Sequence, residues 1–138
     1  MLDFTTDFGK RAAERLARDT VAWLTTLDED GMPQPSPVWF LWDGETVLIY
    51  SKPNAPKVRN IERHGRVAFN FNSDAHGEDI VILTGEAVID RDAPLATGVA
   101  AYLTKHEQGI ASIGMTPEAM AADFSTAIRI TPMKLRGH

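Results

Sequence analysis

Residues 35–51 read Pro-Ser-Pro-Val-Trp-Phe-Leu-Trp-Asp-Gly-Glu-Thr-Val-Leu-Ile-Tyr-Ser. Two apolar runs, Pro35–Trp42 and Thr46–Ser51, flank the pair Asp43-Gly44. Asp and Gly both tolerate the positive φ that a tight reversal needs, so an Asp-Gly pair between apolar runs predicts a β-hairpin. Side chains alternate along a strand, so Pro37, Trp39 and Leu41 face one way and Val38, Phe40 and Trp42 the other. Both sets are bulky. Both faces are therefore expected to be covered, one by core and the other by a ligand or a partner chain.

Upstream, Thr20–Leu27 (TVAWLTTL) is β-branched and aromatic and predicts a strand, closed by a turn at Asp30-Gly31. Before it, Asp7–Arg18 has helical periodicity, with Phe8, Ala12, Ala13 and Leu16 inward and Arg11, Glu14, Arg15 and Arg18 outward. Downstream, Asn54 is the expected cap of a short helix, with Pro56 in its first turn, Val58 and Ile61 inward and Gly65 ending it. Strands are expected over 66–72 and 80–90, separated by a polar turn at His76-Gly77. A long helix from Asp92 and Pro94 should bury Leu95, Val99, Tyr102 and Leu103. A short helix follows from Thr116-Pro117 to about Ala122, then a last strand from Ser125 to Ile130 and a basic stretch through Lys134 and Arg136. Antiparallel neighbours dominate and no βαβ repeat occurs. The fold expected is mainly β, an antiparallel barrel with peripheral helices, with a two-layer α+β sheet as the second choice. The 138 residues suit one domain spanning 1–138.

The net charge of −5 argues against a generic nucleic-acid binder. The absence of cysteine excludes disulfides, thiolate metal sites and a cysteine nucleophile. The start, Met1-Leu-Asp-Phe-Thr-Thr-Asp-Phe8, lacks the basic and apolar segments of a secretory signal, and no apolar run approaches the roughly 20 residues needed to span a bilayer. The expectation is a cytoplasmic protein with neither a nucleic-acid nor a membrane partner.

The chemistry concentrates in Tyr50-Ser-Lys-Pro-Asn-Ala-Pro-Lys-Val-Arg-Asn60, which runs from a strand end into a helix start. A helix N-terminus offers free N–H groups and the positive end of its dipole, which suit a phosphate. Lys57 in the first helical turn opposes that dipole, a cost a bound anion reverses. Lys52 and the Ser51 hydroxyl can converge on the same anion. The other reading makes both lysines solvated surface charges. No GxxxxGK[ST] loop is present. In Ser36-Pro-Val-Trp39, a strand edge can offer backbone groups to a planar ring while Trp39 walls the pocket, or Trp39 is simply core, as Trp23 and Trp42 are expected to be. His64, His76, His106 and His138 show no metal spacing and are read as non-catalytic; Asp74, Glu78 and Asp79 read as a solvated acidic turn; no GxSxG elbow supports a hydrolase. No metal site and no catalytic side chain are assigned.

The run from Pro35 to Phe71, with its PVWF, its Asp-Gly before the next strand and its spacing Ser51…Lys57…Asn60, resembles the pyridoxamine 5'-phosphate oxidase-like split-barrel superfamily. More narrowly it is similar to the actinobacterial branch that uses the deazaflavin F420. The similarity extends from Thr20 to about Arg129. It implies a six-stranded split β-barrel of the flavin mononucleotide (FMN)-binding type, a homodimer with two cofactor sites at the subunit interface. It implies Lys57 as the phosphate lysine, with Tyr50, Ser51 and Lys52 at the strand end, Ser36, Pro37, Val38 and Trp39 along the ring system, and Asn60 on the short helix. The additional arginines and C-terminal substrate segment of the FMN oxidases have no counterpart that a motif assigns, although Arg129 and Arg136 lie in the terminal region. The function implied is hydride transfer between reduced F420 and a small organic acceptor. The alternatives are an FMN flavoprotein, a non-enzymatic carrier or sensor, a haem-handling relative, or a plain barrel. Arg59 and Arg63 are placed to meet the oligoglutamate tail of F420, or are solvated helix charges.

Overall fold

The computed structural model describes residues 2–138. It contains helix α1 (Asp7–Arg18), strands β1 (Val21–Leu27), β2 (Pro33–Trp39), β3 (Leu41–Trp42) and β4 (Val47–Ser51), helix α2 (Pro56–Arg63), and strands β5 (Arg66–Asn70) and β6 (Val81–Ile89). A 3-10 turn (Ala96–Gly98), helices α3 (Ala100–Lys105), α4 (Glu107–Ser112) and α5 (Pro117–Asp123), and strand β7 (Thr126–Gly137) complete it. All strands join one antiparallel sheet in the order β2-β1-β5-β6-β7-β4-β3.

The strand count is seven where six were expected. The reason lies at Phe40. The run Pro35–Trp42 is not one strand: β2 pairs with β1, β3 pairs with β4, and the single residue Phe40 separates them. The two edges of the sheet are thus consecutive pieces of chain, joined through the bend at Phe40, and the sheet curls into a half-barrel. Alternation survives the bend. Val38 and Phe40 enter the interior with Trp42 packed against it, while Trp39 and Leu41 pack on the outside.

The interior is filled by Leu24, Phe40, Ile49, Phe69, Leu83, Ile128 and Ile130, all nearly inaccessible. Phe40, Phe69 and Phe71 meet at centroid separations of 5.1–5.6 Å, two of the pairs edge-on. Leu16 and Ala12 of α1 plug one end, and Val58 and Ile61 of α2 face inward as expected. Every residue of β4 is buried. Its outer face is covered by α3, α4 and α5, through Tyr102, Ile110, Met120 and Ala121. The second cover predicted for the hairpin is therefore supplied in large part by the chain's own helices.

Several expectations change. The long helix after Asp92 is broken into the 3-10 turn, α3 and α4, and Leu95 is exposed. The last strand continues to Gly137, so the basic stretch is a strand paired with β6. The residue capping α2 is Ala55 rather than Asn54, and no side chain caps that helix. Arg15 is buried: it binds Asp19, Asp79 and the Asn72 carbonyl, and its guanidinium lies over Phe71. Asp79 thereby leaves the solvated turn and takes φ +58. Trp23 is exposed, and Trp42 is half-buried against Phe4. Among the described residues no helix is long and apolar enough to cross a membrane.

Candidate functional site

A cleft of about 270 Å³ opens where the ends of β2 and β4, the first turn of α2 and helices α3–α5 meet. Pro37, Val38, Trp39, Tyr50 and Lys57 line it, together with Tyr102, Ile113, Met120 and Phe124. Five of the nine sequence-predicted site residues thus converge on one space.

Lys57 is its one lining cation. Its side chain is half-buried, and burial holds its amine below the ordinary lysine value. No carboxylate lies within 4.0 Å of it among the described residues. A desolvated cation without a counter-ion beside an uncapped helix start is what an anion would satisfy. The residues present therefore fit a phosphate at this end of the cleft.

The wall opposite is aromatic. The Trp39 indole stacks on His106 at 5.2 Å and 6° between planes. Gly109 lies against the same indole so closely that a Cβ there would stand 2.9 Å from Trp39 Cζ2. His106 is buried, and its Nε2 lies 2.8 Å from the Phe40 carbonyl oxygen. A carbonyl only accepts, so Nε2 carries the proton. Burial above all holds this imidazole down to about 4, which keeps it neutral. Tyr50 Oη donates to the Pro94 carbonyl at 2.7 Å, and Tyr102 packs edge-on against Tyr50 at 5.0 Å.

The remaining predicted residues lie outside the lining. Ser36 is half-buried on β2. Ser51 is buried, and its Oγ donates to the Lys52 carbonyl at 3.0 Å. Lys52 is exposed, with Nζ 5.6 Å from the centroid of Phe124, at the rim. Asn60 is buried on the barrel side of α2, where Nδ2 donates to Thr26 Oγ1 at 3.0 Å and Oδ1 accepts from Arg63 at 3.3 Å. Arg59 donates to the Asn54 carbonyl at 3.1 Å. Arg129 ties the β3–β4 hairpin to the end of β6 through Thr46 and Asp90.

Sequence reasoning did not find Tyr102, Ile113, Met120 and Phe124 as lining residues. Tyr102 carried a signal, as an inward polar aromatic on a predicted helix. The other three reach the cleft only because α4 and α5 fold back over β4.

The pyridoxamine 5'-phosphate oxidase family model matches residues 8–138. The chain belongs to that family. An F420 reductase of known structure superposes with a TM-score of 0.68 at 26% identity, over 89% of this chain and 94% of its own. A proposed pyridoxamine 5'-phosphate oxidase from Listeria innocua gives 0.68 at 22% identity, over 92% and 94%. HutZ, a heme storage protein from Vibrio cholerae, gives 0.63 at 18% identity, over 97% and 94%. No curated protein matches the chain. The last two likenesses speak for the shared barrel alone. Proteins with different printed roles share this fold, so function must be argued from the cleft.

Proposed function

We propose that the protein is an oxidoreductase that holds the phosphate of F420 at Lys57 and passes hydride between that cofactor and a small organic acceptor. The observation that carries this reading is Lys57: a half-buried cation with no counter-ion among the described residues, at an uncapped helix start, lining a cleft walled by an indole. The likeness to an F420 reductase favours F420, and FMN is the alternative, since both carry a ribityl phosphate.

When bound, the cofactor supplies a two-electron hydride donor; the chain supplies position and a dry pocket. Lys57 neutralises the phosphate, with Lys52 and Ser51 at the rim of the same strand end. Trp39 presents a flat face to a ring, and the neighbouring Ser36, Pro37 and Val38 present backbone along its edge. Met120 and Phe124 exclude water. No side chain is required as an acid or base, because solvent can protonate the product.

The same proposal includes a second copy of the chain. The outer face of β1 and β2 carries Val21, Trp23, Pro33, Pro35 and Pro37, with Val21 and Trp23 41% and 36% exposed. This apolar strip is continuous with the cleft through Pro37, so a partner seated on it would complete the site.

Parallel titration with F420 and FMN, followed by quenching of tryptophan fluorescence, tests the reading. F420 is expected to bind more tightly, and Lys57→Ala should weaken it about tenfold or more, the loss of a charge-assisted contact. Preference for FMN moves the protein to the flavoprotein alternative. Binding without turnover against a broad acceptor panel makes it a carrier. Binding of neither cofactor, or a dissociation constant unmoved by Lys57→Ala, ends the assignment.

A further inference from the structure

Tyr102 is a buried side chain whose hydroxyl has no protein partner among the described residues. It is 2% exposed, packed edge-on against Tyr50 at 5.0 Å and tilted over His106 at 4.6 Å. Neither polar neighbour bonds to it: the Tyr50 hydroxyl donates to the Pro94 carbonyl, His106 Nε2 donates to the Phe40 carbonyl, and no hydrogen bond joins Tyr102 to the remaining acceptor, His106 Nδ1. Among the described residues no hydrogen bond reaches the Tyr102 hydroxyl, and it is not among the unpartnered atoms that the protein encloses completely. The remaining accessible space beside Tyr102 is the cleft, which it lines between Trp39, Tyr50 and Met120. With no protein partner, the hydroxyl is free to bond to whatever occupies the cleft, water or a ligand. The two aromatic contacts hold the ring in place, so the hydroxyl is pre-positioned.

We infer that Tyr102 donates a hydrogen bond from its hydroxyl to a ring carbonyl of a flat heterocycle held in the cleft against Trp39. The inference rests on the proposed function, and it adds the recognition of the ring to the recognition of the phosphate. F420 and FMN share a pyrimidinedione edge whose carbonyl oxygens only accept. Burial raises the phenol above its ordinary value, so the hydroxyl keeps its proton and remains a donor at neutral pH. Lys57 and Tyr102 then read different parts of one ligand: the lysine its charge, the tyrosine its ring.

The experiment uses that division. Wild type, Tyr102→Phe and Lys57→Ala are titrated with F420, with FMN and with the phosphate-free chromophore of each, riboflavin and the corresponding deazaflavin. Thermal midpoints of the three proteins are measured without ligand. Tyr102→Phe is expected to weaken the intact cofactor and its phosphate-free chromophore alike, by about three- to tenfold, the worth of one neutral hydrogen bond. Lys57→Ala should weaken only the phosphate-bearing ligands. The thermal midpoint of Tyr102→Phe should hold, because the hydroxyl makes no hydrogen bond within the protein that its removal could break. A purely structural tyrosine would instead lower the midpoint and leave chromophore affinity unchanged, and either result overturns the inference. If wild type binds the cofactors and only Lys57→Ala weakens them, the proposed function stands and the role of Tyr102 falls. If wild type binds none of the ligands, the proposed function falls and takes this inference with it.

Discussion

His106 is the residue whose chemistry reaches furthest. Its ordinary value is 6.5, and burial holds it down to about 4 in the fold; the Phe40 carbonyl opposes the shift and Lys105 adds to it. Between these two values the unfolded chain takes up a proton that the folded chain refuses. Protonation in that window therefore favours unfolding. The contribution of His106 should be level above pH 6.5 and fall as the pH drops toward 4, by on the order of 3 kcal/mol over the whole window. Urea midpoints at pH 7 and pH 4.5 check this, and His106→Gln should flatten the slope. Asn60 poses the complementary case. The resemblance gives it a recurrent place on the short helix, structural or ligand-binding, and its amide donates to Thr26, itself 1% exposed. Asn60→Ala is expected to cost about 1–3 kcal/mol in denaturant unfolding, the penalty of leaving a buried partner unpaired, with cofactor affinity unchanged. A loss of affinity without a loss of stability would return Asn60 to the site.

At the scale of elements, α4 acts on the cleft through one contact. Gly109 carries no side chain where the Trp39 benzo edge passes, and His106 at the junction of α3 and α4 stacks on the same ring. Gly109→Ala places a methyl 2.9 Å from Cζ2, closer than real Cβ contacts come, so the indole must shift. Near-UV circular dichroism of Trp39 should change, and overpacking of this kind costs about 1–3 kcal/mol. An unchanged spectrum would mean that α4 moves instead. Elsewhere in the sheet the register of β6 on β7 slips between Thr84 and Gly85, and a Cβ on Gly85 would run into the Thr131 carbonyl oxygen. Only glycine permits that approach of two backbones.

For the whole molecule the open strip on β1 and β2 is the feature that bears on assembly. Trp23 donates its Nε1 to Asn72 Oδ1 at 2.9 Å and leaves the rest of its ring outward. Trp23→Glu is expected to convert a dimer to a monomer in sedimentation velocity and to weaken cofactor binding in parallel. A monomeric wild type would remove the second copy from the proposal. Much of the molecule was legible beforehand. The hairpin about Asp43-Gly44, the helix Asp7–Arg18, the inward pair Val58 and Ile61, and Lys57 at a helix start all follow from spacing and turn chemistry, which are local. The bend at Phe40 was not legible, because alternation is the same on either side of it and nothing in the run says which neighbour each half will pair with. Arg15 could not be read as buried, because the Asp79 carboxylate that holds it lies 64 residues away. The same holds for Tyr102, whose place beside the cleft depends on the packing of its helix against β4 and α5. By itself, then, the sequence determined the antiparallel elements, their inward faces and the cation at the head of α2. Tertiary structure alone decided how the sheet curls, which helices roof the cleft and which polar groups find partners within the protein. Periodicity and turn residues report on neighbours along the chain, whereas closure, burial and hydrogen-bond satisfaction depend on groups that only folding brings together.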